Sequence, residues 1–512
     1  MENTRTKKAL LNAVTGSAMQ ILNVVLGFVS RTIFIYLLNS DYLGVNSLYT
    51  NILTVLSFAE LGIGSAIVFS LYQPIAEKDK AKIQALMKLY KKAYWTIGVV
   101  IFVLGLCVIP FLKYIIRETP DVKENLTLIY VLFLVNTSAS YFYSYKKTLI
   151  TADQKDYLVQ IYTRVFQLIQ IVLQSIFLLI THEYLIYLII FIVCTIGQNV
   201  FLSLKADRLY PYIKEKNENT LSADETKSIF DNVKALFVYK FGSVILNGTD
   251  NIIISSVINV SAVGVASNYT MLMTNVTNII GCAINSMTAS VGNLSVNGSK
   301  QQIRSVLHQL LMLCVWLYGF IAIGFLALAN DFVYLWIGDK YVLDQMVVFS
   351  ILFSLYINGI QYSAYTFRTT QGLFVQSKWI PMLSAIINII LSIWWGNVIG
   401  LAGIFIATGI SRLVTTTVVD PWLVYKHNFD EKPLAYYFKL LWESVAVLVN
   451  GVIQYNLIRL IHLDGWSGFV IKFVALSIMT NIVFVIEFGW TAEFKGLVHR
   501  ILPKFSKKKK EV

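Results

Sequence analysis

Charged residues are scarce in this 512-residue chain, where Asp, Glu, Lys and Arg together make up only 14%. Soluble proteins carry roughly 25%. Hydrophobic residues account for 56%, and the mean hydropathy is +0.64. So few charges cannot give every helix of a soluble protein a polar face. The composition therefore excludes a soluble globular protein, a disordered chain and a secreted disulfide scaffold, and it leaves a polytopic membrane protein.

Cysteine and histidine are also scarce. The four cysteines, Cys107, Cys194, Cys282 and Cys314, lie far apart within apolar runs and form no CxxC pair. The five histidines show no ligand spacing with a cysteine or with one another. These patterns are typical of small buried residues. We expect neither a disulfide framework nor a metal site, and no cofactor.

The net charge of +13 requires an explanation by location. A basic balance is typical of nucleic-acid binding or of loops that face anionic lipid. The membrane composition favours the second interpretation, so we expect no nucleic-acid partner and contact with membrane lipids.

Long apolar runs recur along the whole chain. A bilayer core takes about 20 apolar residues per helix, and about fourteen runs are long enough. They are 10–38, 42–71, 93–116, 126–149, 157–180, 184–205, 234–258, 262–291, 306–330, 344–367, 379–397, 401–425, 434–460 and 467–490. Twelve helices is the alternative count, because Glu443, Asn450 and Asn456 interrupt the thirteenth run.

Lys and Arg concentrate on alternate connections. The connection 72–92 contains six lysines, and the chain ends in the lysine run 507–510, whereas 39–41, 181–183, 259–261 and 398–400 contain no Lys or Arg. Basic residues favour the cytoplasmic side. We therefore predict a multi-pass protein of the bacterial cytoplasmic membrane with both termini in the cytoplasm.

A short motif occurs twice. Residues 44–50 read Gly-Val-Asn-Ser-Leu-Tyr-Thr and residues 264–270 read Gly-Val-Ala-Ser-Asn-Tyr-Thr, so five of seven positions match at an offset of 220. Each copy opens the second helix of a six-helix half. An even number of helices per half predicts a parallel repeat, which is typical of transporters.

The repeat suggests three segments: a lobe over 1–230, a second lobe over 231–430, and two further helices with a basic tail over 431–512. We expect an all-α membrane protein whose two six-helix lobes form a V around a central cavity. Every predicted outer loop is short, so the function is expected to lie within the helix bundle.

Polar residues recur at helical spacing on the first two helices of each predicted half. They are Ser17, Gln20, Gly27 and Arg31; Asn46, Thr50, Ser57, Glu60 and Gly64; Lys240, Ser243, Asn247 and Asp250; and Asn268, Asn275, Asn278, Cys282 and Asn285. Such groups can simply bond one membrane helix to another. The charged members favour the alternative, a water-filled cavity, because a charge within the membrane is costly.

The intramembrane cations predict an anionic cargo, because the planar fork of arginine makes two charge-assisted bonds to phosphate. The candidate cargo residues are Arg31, Lys240, Arg412, Arg164, Asn247, Asn275, Asn278 and Asn285. Arg368 is a further cation toward the cytoplasm. Arg31 and Asp250 could instead be each other's ion-pair partners.

Acidic residues in the same helices are candidates for ion coupling. No GxxxxGK[ST] loop is present, so energy would come from an ion gradient, the membrane potential or the substrate's own gradient. Asp250 and Glu60 are the candidate sites for H⁺ or Na⁺, and Asn388 and Thr408 could add oxygen ligands for Na⁺.

Two stretches resemble a known family. The first runs from Arg31 to Tyr72 and contains Arg-Thr-Ile-Phe-Ile-Tyr-Leu-Leu, Tyr-Leu-Gly-Val and Leu-Ser-Phe-Ala-Glu-Leu-Gly-Ile-Gly-Ser-Ala-Ile. The second is Thr249-Asp250-Asn251 followed by Gly264, Val265 and Tyr269. Both resemble bacterial Wzx-type polysaccharide flippases of the multidrug/oligosaccharidyl-lipid/polysaccharide (MOP) exporter superfamily.

The resemblance implies a flippase that is not an enzyme. It would carry undecaprenyl-diphosphate-linked oligosaccharide from the inner to the outer leaflet by alternating access, for surface polysaccharide synthesis. A polymerase and glycosyltransferases would be its partners. Arg31 maps to a family cavity arginine and Asp250 to the acidic position of the second half, while Glu60 could be structural. In a lipid II flippase relative two extra C-terminal helices add a lipid groove, and helices 13 and 14 could do likewise.

Three alternatives stay open at this point. The first is a multidrug or small-molecule exporter of the MATE type, which a cavity dominated by carboxylates would favour. The second is a membrane glycosyltransferase or polymerase, which a large outer loop would favour. A scaffold that transports nothing would share the fold. The sequence names neither the sugars nor the coupling ion.

Overall fold

The computed structural model describes residues 24–60, 63–215 and 220–501, together with residue 22. The described residues form helices joined by turns, with no β-strand among them. The all-α prediction is confirmed. The chain divides into two compact units, Met1–Gly264 and Val265–Val512. The three predicted repeat segments stay a prediction.

The helices of the first unit are α1 Val24–Leu37, α2 Ser40–Leu56, α3 Ile63–Glu77, α4 Lys80–Val108, α5 Leu112–Ile115, α6 Leu126–Ala152, α7 Asp156–Thr181, α8 Tyr184–Leu209, α9 Ala223–Gly248 and α10 Asp250–Val257. Helix α11, Val260–Asn297, begins in this unit and continues into the second.

The remaining helices belong to the second unit. They are α12 Lys300–Ile337, α13 Gln345–Ile360, α14 Tyr362–Thr370, α15 Phe374–Ser377, α16 Ile380–Ile399, α17 Leu401–Val414, α18 Thr416–Asn428, α19 Leu434–Arg459, α20 Gly465–Phe488 and α21 Ala492–Ile501.

Within the described part of the chain, ten helical stretches are long and apolar enough to cross a membrane. They coincide with ten of the predicted spans. Of the predicted span 10–38, the structure describes residue 22 and the residues from 24 onward, which form α1. The spans 42–71, 234–258 and 262–291 coincide with helices that are shorter or richer in polar residues. The count of fourteen and the V-shaped arrangement stay predictions.

Five predicted spans are broken rather than continuous. The breaks fall at the 3₁₀ segments Ser57–Glu60 and Ile109–Phe111, at Thr249, at Gln361 and at Thr415. At three of them a hydroxyl bonds to the carbonyl one turn earlier: Ser57 to Leu53 at 2.8 Å, Thr249 to Ile245 at 2.9 Å and Thr415 to Ser411 at 2.5 Å. Such bonds bend helices because the side chain competes for backbone groups.

Several helices extend beyond the predicted apolar runs into charged sequence. Helix α4 begins at Lys80, where the Asp79 side chain accepts a bond from the Lys82 N–H at 2.9 Å. Helix α9 begins at Ala223 with a capping box between Ser222 and Glu225. Capping residues satisfy the free N–H groups of a helix start. The predicted connection 72–92 is thus largely helical, because hydropathy marks the membrane and not the end of a helix.

The repeated motif forms a close helix crossing within the first unit. A Cβ added at Gly44 of α2 would lie 2.0 Å from the Val260 carbonyl oxygen, and one at Gly264 of α11 would lie 2.2 Å from that of Ser40. The hydroxyls of Ser40 and Ser261 share a hydrogen bond of 3.0 Å. The two backbones touch at these glycines, and a larger side chain at either position would prevent the contact. Small residues commonly allow such close approach between membrane helices.

The motif tyrosines also share a role. Tyr49 and Tyr269 are both fully buried. The Tyr49 hydroxyl donates to the Leu126 carbonyl at 3.0 Å, and that of Tyr269 donates to Asn330 at 2.6 Å and accepts from the Leu343 N–H at 3.0 Å. Tyr49 thus ties α2 to the start of α6, and Tyr269 ties α11 to α12 and to the connection that precedes α13.

The two C-terminal helices pack against the long helix α12. Helix α19 is continuous, although the sequence suggested an interruption at its polar residues. The Asn450 side chain donates to Glu487 of α20 at 2.7 Å, and the Thr480 hydroxyl of α20 donates to Gln454 at 2.6 Å. These buried polar groups join α19 to α20, as polar side chains do in membranes.

Candidate substrate-binding site

Arg31 borders an aromatic cluster in the first unit. It is half-buried on α1 and lies close enough to Tyr187 of α8 for electrostatic interaction. The hydroxyls of Tyr187 and Ser30 share a hydrogen bond. The ring of Tyr187 stacks on that of Tyr184 with 5.8 Å between centroids, and it packs against Phe34 in a T-shaped arrangement with 5.2 Å between centroids. A charged guanidinium beside aromatic faces suits an anion that is attached to a ring-shaped, amphipathic group.

Helix α7 carries a polar stripe that the sequence reasoning missed beyond Arg164. One Arg164 N–H donates to Gln167 at 2.6 Å, and the Gln170 amide donates to Gln174 at 3.1 Å. The stripe consists of Gln160, Thr163, Arg164, Gln167, Gln170 and Gln174. Their spacing of three and four residues, the signal that could have found them, puts them on one helix face. Gln174 is buried and donates to the Tyr187 carbonyl of α8 at 3.0 Å. The half-buried members of the stripe can exchange hydrogen bonds with hydroxyl-rich ligands.

Glu60 lies at the break that follows α2. Its carboxylate accepts a hydrogen bond from the Tyr94 hydroxyl of α4 at 3.3 Å and another from Tyr141 of α6. The carboxylate thus ties the broken helix to two neighbouring helices. This geometry supports the structural alternative for Glu60, and its part in ion coupling stays a prediction.

Lys240 and Asp250 are both half-buried in the first unit. Asp250 is the first residue of α10, directly after the break at Thr249. A carboxylate is favourable at a helix N-terminus because of the helix dipole. The suggested pairing of Arg31 with Asp250 stays a prediction. The side chain of Asn247 lies outside the described residues.

In the second unit, Arg412 joins two broken helices. One of its N–H groups donates to Asn358 at 2.6 Å, and Gln361 donates to the same oxygen at 2.7 Å. The Thr416 hydroxyl donates to Gln361. The cluster lies where α13 gives way to α14 and α17 to α18. Irregular backbone at membrane depth is tolerated in proteins where it is buried or lines a cavity, and transporters place their sites there.

Asn358, Gln361 and Thr416 were not predicted as site residues. Asn358 and Gln361 are three residues apart, which puts them on one helix face. This spacing within the predicted span 344–367 could have revealed Asn358 and Gln361, but the cluster they form with Arg412 and Thr416 could not be read from the sequence.

The other candidate residues of the second unit are dispersed. The Asn388 amide donates to the Thr408 hydroxyl at 2.8 Å, and both side chains are buried between α16 and α17. This is a helix-to-helix bond. Asp250 belongs to the other unit, so the Na⁺ site that combines the three residues stays a prediction. Asn275 is half-buried and Asn278 exposed on α11, and the side chain of Asn285 lies outside the described residues.

Arg368 has a carboxylate partner. Its Nε lies 3.3 Å from Asp420 Oδ1, and the two side chains are 3% and 2% exposed. Its guanidinium also lies over the Tyr365 ring at 5.1 Å. The sequence placed Arg368 among the cations of the interior, but a buried carboxylate balances its charge.

An apolar groove runs beside α19 in the second unit. It has a volume of 760 Å³ and is formed by α12, α13, α17, α18 and α19. Its lining includes Leu326, Phe353, Leu413, Tyr437, Leu441 and Leu448, and its few polar residues include Ser444 and Thr417. Long flexible hydrocarbon is the chemistry that such a surface accepts.

Neither a known protein family nor a curated protein sequence matches the chain. Solved structures do. The lipid II flippase MurJ in an inward closed conformation is similar with a TM-score of 0.64 at 14% identity, covering 94% of this chain and 98% of that one. An inward-facing multidrug resistance MATE family transporter of the MOP superfamily gives 0.61 at 12% identity over 85% and 98%. A MATE transporter of Vibrio cholerae gives 0.53 at 14% identity over 83% and 98%.

The chain therefore has the fold that the lipid II flippase and the MATE transporters of the MOP superfamily share. These neighbours are a flippase and transporters. The expectation that this chain has no enzymatic activity stays a prediction. The flippase covers about a tenth more of this chain than either MATE transporter does.

Proposed function

We propose that the protein is a flippase that moves undecaprenyl-diphosphate-linked oligosaccharide from the inner to the outer leaflet of the bacterial cytoplasmic membrane. It would work by alternating access and serve surface polysaccharide synthesis. The observation that carries this proposal is the 760 Å³ apolar groove along α19. A small soluble drug does not need such a groove, whereas a polyprenyl tail does.

The size of the groove fits part of such a tail. Pockets of about 300–1,000 Å³ enclose ligands of drug size. The groove would therefore hold several isoprene units next to the head group, and the rest of the tail would stay in the bilayer. The tail then never has to cross a polar region, which keeps the cost of transfer low.

The polar head group requires different partners. The candidate in the first unit is Arg31 and the candidate in the second unit is Arg412, because a planar guanidinium suits a diphosphate, which accepts such paired bonds. The candidates for bonds to the sugar hydroxyls are the α7 stripe and Tyr187 in the first unit, and Asn275 and Asn278 in the second. Glu60 or Asp250 would bind the coupling ion, H⁺ or Na⁺. A polymerase and glycosyltransferases would act after and before the transfer.

Reconstitution in liposomes tests the proposal. The cargo is a fluorescent undecaprenyl-diphosphate oligosaccharide, and its arrival in the opposite leaflet is measured by quenching with a membrane-impermeant reductant. We expect the wild-type protein to accelerate this transfer and Arg31→Ala to abolish it at an unchanged protein level. Full transfer by the Arg31→Ala variant would show that the cavity assignment is wrong.

The groove has its own matched pair of variants. Leu448 lines the groove, and its neighbour Val449 is about equally exposed but lies outside the lining. Leu448→Trp should fill the groove and slow transfer, whereas Val449→Trp should not. If the wild-type protein moves no lipid-linked cargo but exports cationic dyes, the MATE-type exporter is the correct function.

A further inference from the structure

A second cavity of the second unit is polar. It has a volume of 350 Å³ and lies at the ends of α12, α19 and α20. Its charged and polar lining comprises Asn330, Asp331, Gln345, Arg459, His462, Asp464 and Lys472. The distribution of Lys and Arg assigns this end of the helices to the outer side of the membrane. We call this cavity the end pocket.

The end pocket adjoins the apolar groove. Three helices carry lining residues of the groove and, at most one turn further on, lining residues of the end pocket. These residues are Leu326 and Ala327 on α12, Phe349 and Gln345 on α13, and Val452 and Tyr455 on α19. One elongated site therefore has an apolar part within the membrane and a polar part at its end, which is the division that a lipid molecule shows.

Aromatic residues place the end pocket at the level of lipid head groups. Trp466 follows Asp464 by two residues, is 50% exposed and packs against Phe332 at 5.8 Å. Tryptophan is enriched at the boundary between the hydrocarbon and the aqueous phase. The head group of a lipid in the outer leaflet would lie at this depth.

The charges of the end pocket are balanced. Lys472 and Asp331 form an ion pair of 3.1 Å. Arg459 stacks on Tyr455 at 4.9 Å, and neither Arg459 nor Asp464 has an ion-pair partner among the described residues. The pocket therefore offers one cation and one carboxylate to a ligand.

We propose that the end pocket binds the head group of a zwitterionic glycerophospholipid that carries a phosphate and a primary ammonium. Arg459 holds the phosphate, Asp464 holds the ammonium, and an acyl chain lies in the groove. A diphosphate head group fits less well because Asp331 and Asp464 repel its several negative charges. An anionic head group would leave Asp464 without a partner. The phospholipid occupies the groove when no cargo is bound.

Lipid retention by the purified full-length protein tests this site. The protein is exchanged into nanodiscs that contain equal amounts of phosphatidylethanolamine and phosphatidylglycerol, and the lipids retained after transfer to detergent are counted by native mass spectrometry. We expect preferential retention of phosphatidylethanolamine. Arg459→Gln should weaken retention of both lipids by about tenfold, the change expected when one charge-assisted bond is lost.

Asp464→Asn makes the sharper prediction. The pocket then has a net positive charge, so its preference should change to phosphatidylglycerol. Lys340 and Asp339 provide matched controls, because both are exposed in the same outer region but outside the pocket, and Lys340 also lies over a tyrosine ring, at 5.9 Å. Lys340→Gln and Asp339→Asn should retain lipid like the wild-type protein.

Two results would overturn the proposal. One is equal retention of the two lipids by the wild-type protein and by both pocket variants. The other is retention of undecaprenyl phosphate, added as a third probe, that exceeds that of phosphatidylethanolamine and depends on Arg459, which would assign the pocket to the cargo. The retention measurement does not depend on transport, so a failure of the phospholipid proposal is distinct from a failure of the proposed flippase function.

Discussion

The regions around Arg368 and Arg412 show two ways in which one unit accommodates an arginine within the membrane. Arg368 meets the carboxylate of Asp420 at 3.3 Å in a fully buried pair. Arg412 is half-buried and meets the amide of Asn358 at 2.6 Å. A carboxylate balances the charge of a guanidinium, whereas a hydrogen bond to an amide oxygen orients the guanidinium without adding an opposite charge. The charge of the partner, and not the arginine alone, therefore separates a structural group from a candidate binding group.

The largest effect is expected on breaking the pair of Arg368. Asp420→Leu leaves a buried guanidinium without its carboxylate, which typically costs about 3–5 kcal/mol. We expect a marked fall in the thermal unfolding temperature and in the amount of protein in the membrane, measured on detergent-solubilised protein.

The double variant Arg368→Met with Asp420→Leu is the control for that prediction. It removes both charges and keeps apolar volume, a replacement that is often neutral in other proteins. Recovery of the unfolding temperature is expected. A double variant as unstable as Asp420→Leu would show that the region needs the ions themselves.

The Arg412 region can be converted into a copy of the Arg368 region. Asn358→Asp introduces a carboxylate at hydrogen-bond distance from Arg412. Because the new ion pair competes with a phosphate for the guanidinium, transfer in the liposome assay should fall by about tenfold, while the unfolding temperature stays the same or rises.

Asn397→Asp is the matched control for the new carboxylate. Asn397 is exposed, and its amide bonds only to the Ile393 carbonyl one turn earlier. Transfer by the Asn397→Asp variant should equal that of the wild-type protein. Normal transfer by Asn358→Asp would mean that the Arg412 charge takes no part in cargo binding.

The smallest effect is expected from Arg412→Lys. Lysine keeps the positive charge and can donate to Asn358, but it lacks the planar fork that binds two phosphate oxygens. Transfer should fall only about threefold, less than in Asn358→Asp. An equal loss in both variants would show that the shape of the guanidinium matters as much as its charge.

Much of the fold could be predicted from local sequence. The apolar runs located the helices, and the repeated motif marked Gly44 and Gly264 as equivalent. The polar spacing on helix 2 included Ser57 and Glu60, at which the helix breaks. The starts of α4 and α9 were missed, because each helix begins in charged sequence that precedes its apolar run.

The candidate site was less accessible to sequence reasoning. The partners of Arg368 and Arg412 are Asp420 and Asn358, each more than fifty residues away along the chain. The glutamine stripe of α7 could have been found from its spacing. The contact of Arg412 with Asn358 could not, because no local pattern encodes it.

The sequence by itself determined that the chain lies in a membrane, that it is helical, and that one motif is repeated. Hydropathy and helical period are properties of neighbouring residues, so these features could be read along the chain. The tertiary structure alone decided that Asp420 pairs with Arg368 and Asn358 with Arg412, why Gly44 and Gly264 must be glycines, and that the α19 groove and the end pocket share three helices. Those features depend on side chains and backbones that meet across long separations in the sequence.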